Sequence, residues 1–292
     1  MESTQYNVNE LVSTSINSLF NNLFSSVDEN MYSVLDSITF INSETINNSF
    51  FQKIYGTSNS IGILLIANSL LFGIVIFYAI RLFCANFVSS EIEQPFQFLF
   101  KCILLGIIMN FSYYIWIQLL EFNYLFSSSF RELGKTFFYI DISFAELIKK
   151  INAVSLISEN TFNVFSFNGL IKSFTSFGLI SLLFSYSLRY VMIKVLIVIT
   201  PFAILSLLNT STSWFFKSWI KSIFALLIME SLISIILLII FSINFFSNDS
   251  ISKLLFIGSI YSLIKSNQIV KELIGGITTD FSFNLSNLKK NL

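Results

Sequence analysis

Between Asn59 and Ile264 apolar residues gather into about six stretches with charged side chains mostly at their ends, each near the roughly 20 residues a helix needs to cross a hydrocarbon core about 30 Å thick. This pattern predicts an all-α, polytopic transmembrane protein with five or six spans. Ahead of the spans, Leu11, Ile16, Leu19, Phe20, Leu23, Phe24 and Val27 recur mostly at three- and four-residue steps. That spacing predicts an amphipathic helix inside a polar N-terminal region, residues 1–58. Its polar face is Ser and Asn without Lys or Arg, which favours packing on the membrane domain or a partner over adhesion to anionic lipid. There is no basic n-region followed by an apolar h-region, so no cleavable signal peptide is expected.

The first predicted span runs from about Ser60 to Phe83, with Arg81 near its end able to reach toward head groups. The second runs from about Phe98 to Leu120, and Pro95 suits the first turn of its helix, where a missing amide proton is harmless. Together they form a first transmembrane pair, residues 59–121. Residues 122–167 read as a central extramembrane loop. Its charges (Arg131, Glu132, Lys135, Asp141, Glu146, Lys149, Lys150) are mixed with apolar patches at 137–142 and 144–151, and those patches favour a folded docking loop over a disordered one. Residues 168–264 form a C-terminal transmembrane bundle. Within it, Gly169–Ser187 and Tyr190–Leu208 are separated only by Ser187-Leu188-Arg189-Tyr190, so the run is either a tight helical hairpin or one long broken helix. A further span covers Ile223–Ile243. Ile251–Ile264, at about 14 residues, either crosses or forms a re-entrant or interfacial helix. Beyond it, residues 265–292 form a polar tail broken at Gly275-Gly276.

Composition narrows the chemistry. Hydrophobic residues make up 54% of the chain and charged ones only 12%, far from soluble usage. The 17 Lys and Arg balance 17 Asp and Glu, so charge alone recruits neither nucleic acid nor any other partner. With no His and two Cys, a metal site, a His-based triad or a redox pair lacks raw material, and a non-enzymatic protein without cofactor is expected. Cys84 and Cys102 read as small apolar thiols. The abundance of Phe, Ile, Asn, Ser and Lys resembles the usage of an AT-rich bacterial genome.

Four kinds of residue stand out against this background. Glu230 lies about eight residues into an apolar span, where an unpaired carboxylate costs a few kcal/mol, so it must be protonated, paired or facing water. Arg189, Lys194 and Lys172 are the available partners, and the result is either a structural pair or the polar lining of a conduit. Pro201 interrupts the second apolar half at 190–208, as a packing feature or as a hinge. Trp214, Lys217, Trp219 and Lys221 have the composition of interfacial anchors.

The run from Ser187 through Arg189 and Lys194 to Pro201, followed by Trp214-Phe-Phe-Lys-Ser-Trp219 and a span carrying Glu230, resembles the TrbL/VirB-type polytopic inner-membrane subunit of type IV secretion (conjugation) systems. The likeness covers Ser187–Gly276. It implies a multi-pass protein of the bacterial cytoplasmic (inner) membrane that acts as a channel or scaffold for the passage of DNA–protein or protein substrates. It further implies partner secretion subunits with ATPases, several copies in a homo-oligomer, contact with membrane lipid, and transient contact with the transferred complex. The likeness puts the central loop outside, hence the N terminus outside, whereas the distribution of Lys and Arg favours an inside N terminus. Read without the resemblance, the same residues also suit a small-solute transporter or ion channel, or a membrane scaffold or assembly factor.

Overall fold

The computed structural model describes residues 29–57, 61–85, 94–147, 149, 167–243 and 250–275, with isolated helical positions between residues 12 and 19. Most of the amphipathic helix expected over Leu11–Val27, and the tail after Gly275, lie outside the described residues. Among the described residues the protein is all-helical, without a strand. Helix α1 (Glu29–Thr39) leads through a 3-10 turn (Ser43–Thr45) to α2 (Ser49–Tyr55). The long elements follow: α3 (Ile63–Ala85), α4 (Pro95–Phe138), α5 (Phe167–Leu205), α6 (Ser213–Ser242) and α7 (Ser250–Ile274), with a 3-10 turn (Ser206–Leu208) between α5 and α6.

Four segments are long and apolar enough to cross a membrane, namely Ile63–Ala85, Pro95–Phe138, Phe177–Leu208 and Ser213–Ser242. By length and composition this is a membrane protein. Four are found among the described residues where five or six were expected, for two reasons. Ser187–Tyr190 is helical, so the ambiguous run is one continuous α5 with Pro201 inside it. The segment at 251–264 is part of the 25-residue α7, which also carries Lys265, Lys271 and Glu272 and packs its buried Phe256, Ile260 and Leu263 into the bundle.

The expected boundary at Leu120 is not a helix end. Helix α4 is 44 residues long and runs to Phe138, well into the region read as a loop. A ladder of rings four residues apart, Phe122 on Phe126 (6.4 Å) and Phe126 on Phe130 (5.2 Å), supports the continuation. Pro95 occupies the first turn as its chemistry requires. At the other end Tyr139 adopts φ 55°, and its N–H donates to the Lys135 carbonyl at 2.9 Å. The chain then returns, burying Ile142, Phe144 and Leu147.

Local chemistry also sets the shorter elements. Asn48 caps α2 by accepting from the Phe51 N–H at 2.7 Å. Gly56 closes it at φ 91°, where the chain turns so tightly that a Cβ on Gly62 would lie 2.5 Å from Gly56 Cα. Three hydrophobic clusters succeed one another along the molecule. One joins α3, the first half of α4 and the end of α5. The second gathers α2, mid-α4, α5 and the start of α6. The third holds α1, residues 142–147, the first half of α5, the second half of α6, and α7.

Candidate functional site: a buried ionic centre

Where α4, α5 and α6 meet, Arg189 and Glu230 are both fully buried. The Arg189 Nη2 lies 3.7 Å from Glu230 Oε2. Helical spacing builds the surroundings. On α4, Asn123 and Ser127 are four residues apart and face the same way. Asn123 Nδ2 donates to Glu230 Oε2 at 2.8 Å, and Ser127 Oγ donates to Oε1 at 2.9 Å. On α6, Leu226 sits one turn before Glu230, and its carbonyl accepts from Arg189 Nε at 2.8 Å.

The remaining partners come from the break between α1 and the following 3-10 turn. Arg189 Nη1 donates to the Thr39 carbonyl at 2.8 Å, and the Ile41 N–H donates to Glu230 Oε2 at 3.4 Å. Non-helical backbone at membrane depth is tolerated only where protein or water serves its polar groups. Here the ion pair serves them. The centre is therefore a socket into which residues 39–41 are plugged, with Thr39 and Ile41 fully buried.

One end of this plug is tied to the returning chain. The Asp36 carboxylate accepts from the Phe144 and Ala145 N–H groups at 2.8 and 3.2 Å. Burial pushes the Asp36 carboxyl above its ordinary range, opposed by these two N–H groups and by Arg131. The Arg131 guanidinium stacks on Phe40 at 4.0 Å and Tyr124 at 5.5 Å. At the other end, the Tyr113 hydroxyl donates to the Ile46 carbonyl at 3.2 Å. Burial raises the Tyr55 hydroxyl to about 12, although its hydrogen bond with Ser112 pulls the other way.

A second polar cluster lies just before Pro201. Trp116 Nε1 donates to Thr200 Oγ1 at 2.7 Å, Thr200 Oγ1 donates to the Leu196 carbonyl at 3.2 Å, and Trp219 Nε1 donates to the same carbonyl at 2.9 Å. The two indoles meet edge to face at 5.9 Å. Pro201 removes one ladder hydrogen bond from α5, and beside the gap Trp219 of α6 and Thr200 serve the Leu196 carbonyl while Trp116 of α4 holds the Thr200 hydroxyl.

Of the residues singled out in the sequence, Glu230 and Arg189 come together. Lys194 does not join them: its Nζ lies 4.5 Å from the Tyr190 ring centroid. The Lys172 side chain lies outside the described residues. Trp214, Lys217 and Lys221 are exposed near the start of α6. Trp219 is a correction, since it is buried and its indole N–H is committed to Leu196, so it clamps helices and does not mark an interface. Sequence reasoning missed Thr39, Ile41, Asn123 and Ser127. The i,i+4 pair Asn123/Ser127 would have been visible had the helix been extended past Leu120.

Among the described residues no group of three His, Cys, Asp or Glu could hold a metal ion, and Cys102 is buried while Cys84 is exposed. What the centre can do is architectural. Two charges neutralise each other in a low-dielectric interior and lock a broken segment between three helices. No protein-family model, no curated protein and no solved structure matches this chain.

Proposed function

We propose that this chain is a non-catalytic inner-membrane subunit, a channel or scaffold component, of a bacterial type IV secretion or conjugative transfer apparatus. Copies of it, with partner subunits and their ATPases, would surround the path of a DNA–protein or protein substrate. The observation that carries the reading is the enclosure of the ionic centre, in which every polar side-chain atom of the pair is hydrogen-bonded within the protein except Arg189 Nη2, which faces Glu230 Oε2 at 3.7 Å. A proton- or ion-coupled transporter keeps its intramembrane charges facing a site that opens and refills. Here Glu230 and Arg189 are consumed by neighbouring side chains and by the backbone at residues 39–41. This centre stiffens a module, which suits a subunit whose conduit forms between chains. The run from Ser187 to Glu230 supplies the resemblance that names the machine.

The test is DNA transfer and protein secretion from cells lacking the gene, followed in parallel with growth. The expected result is loss of transfer at normal growth, restored by the wild-type gene but not by a Glu230→Leu gene at equal membrane levels. Unchanged transfer and secretion overturn the reading, and substrate flux through the purified chain alone in vesicles would replace it with a transporter.

A further inference from the structure

Nearer the start of α4 than the ionic centre, Asn68 of α3 and Asn110 of α4 hydrogen-bond to each other in both directions, each Nδ2 to the other Oδ1 at 3.2 Å. Asn110 Nδ2 also donates to the Gly106 carbonyl at 2.8 Å. Neither side chain is buried: Asn110 is exposed and Asn68 half-buried. Both lie within apolar spans. Asn68 is about 8 Å along α3 at 1.5 Å per residue, and Asn110 is flanked by Ile107, Ile108, Met109 and Phe111. A primary amide has two donor hydrogens and two acceptor lone pairs, so the reciprocal pair leaves Asn68 one N–H and both carbonyls a lone pair. Hydrocarbon offers nothing to them.

The amides sit in an open groove of about 530 Å³ between α3 and α4, whose other lining residues include Leu71, Leu99, Ile103 and Ile107. Among the described residues no charged side chain lines it. Its occupant must therefore be apolar in bulk and bring groups that both donate and accept. This surface has that character itself, with an amide pair at the centre and two rings, Phe72 and Phe111, exposed to 68% and 58%.

We infer that the α3/α4 face is a pairing surface for a second copy of this chain. The two Asn pairs meet about a twofold axis as a four-amide cluster, and the aromatic ridges of each copy enter the groove of the other. An isologous contact of this kind is self-complementary, and amides are among the groups that join helices within membranes. The inference rests on reading the chain as one copy among several, but its test is independent of transfer.

The full chain, tagged with one fluorophore, is reconstituted in phosphatidylethanolamine/phosphatidylglycerol vesicles at low density, and copies per spot are counted by photobleaching. Two-step spots are expected to predominate. Asn68→Leu with Asn110→Leu is expected to lower the dimer fraction about tenfold. Ile107→Trp, which fills the groove and leaves both amides in place, is expected to do the same. Ile239→Trp, on the exposed face of α6, should leave dimers intact. Single-step spots for the wild-type chain overturn the inference, as does a dimer indifferent to Ile107→Trp. Should the double Asn variant fail to fold, Ile107→Trp still decides. Dimers by this face with normal DNA transfer in the deletion strain would sink the secretion reading and leave the interface standing.

Discussion

Helices α3 and α6 are almost equally apolar, yet only 6% of the apolar stretch of α3 is buried inside the protein against 61% of that of α6. The difference lies in the small and polar residues. Helix α6 buries Ser222, Ala225, Glu230, Ser231 and Ser234 against its neighbours, where short side chains let backbones approach and Glu230 finds partners on other elements. The only residue of α3 that is buried is Ala67, against the α4 hairpin partner and the end of α5. Hydropathy alone assigns both helices to the membrane. Which of them faces lipid or another subunit, and which builds the core, is decided by polar and small residues that hydropathy averages away.

The contrast breaks first at its ionic end. Glu230→Leu or Arg189→Met alone leaves an uncompensated buried charge and is expected to lower stability by about 3–5 kcal/mol, as read from thermal unfolding in detergent. The double change should recover most of that loss. Glu230→Gln, whose one carbonyl oxygen can accept from Asn123 and Ile41 while its NH2 donates to the Ser127 hydroxyl, should be milder, in transfer as well as in stability. A Glu230→Leu protein as stable as wild type would remove the centre from the core.

Next comes packing within α6. Ile233 is fully buried, and Ile233→Ala is expected to cost about 2–5 kcal/mol. Pro201→Ala should restore a ladder hydrogen bond to α5 beside the contacts of Trp116 and Trp219. Reduced transfer at an unchanged membrane level is expected, and normal transfer would make Pro201 a packing feature only.

A smaller, pH-dependent effect is expected at Asp36. Its carboxyl is raised by burial in the folded chain, so the folded state holds that proton to higher pH than the unfolded state. Its contribution therefore favours folding at acid pH and declines as pH rises through the folded value. Asp36→Asn keeps an acceptor for Phe144 and should flatten that decline in a melting series from pH 4 to 7. An unchanged slope would assign the decline to other groups. Smallest of all is Phe77→Ala on the exposed face of α3, expected to change stability by less than about 0.5 kcal/mol. A loss equal to that of Ile233→Ala would show that this face of α3 is covered by protein.

Much of the helical plan was legible in the sequence. Long apolar runs, Pro95 at a helix start and Gly275 at the end of α7, where φ is 80°, are local signals that packing left intact. That Glu230 needs a polar partner was legible too, with Arg189, Lys194 and Lys172 as the candidates, and packing brings Arg189 to it. What was not legible depends on tertiary context. The second half of α4 looked like a loop because Arg131, Glu132 and Lys135 dilute its hydropathy, although its ring ladder keeps helical spacing. The plug at residues 39–41 has no sequence signature. Its partners are backbone groups, and any residue supplies those.

The length of α4 has one further consequence. At 1.5 Å per residue its 44 residues span about 66 Å, and to lie wholly within a core about 30 Å thick it would have to tilt by roughly 60°, beyond the 0–40° found for membrane helices. It must therefore emerge from the hydrocarbon. Helix α3 and the first hydrophobic cluster sit beside its first half, α6 and the third cluster beside its second half, so the two are held at different heights. In effect α4 is a mast that sets the level at which each face of the protein is offered to its neighbours. Adding one heptad between Lys101 and Arg131 would move those levels apart by about 10 Å while nearly preserving the faces presented.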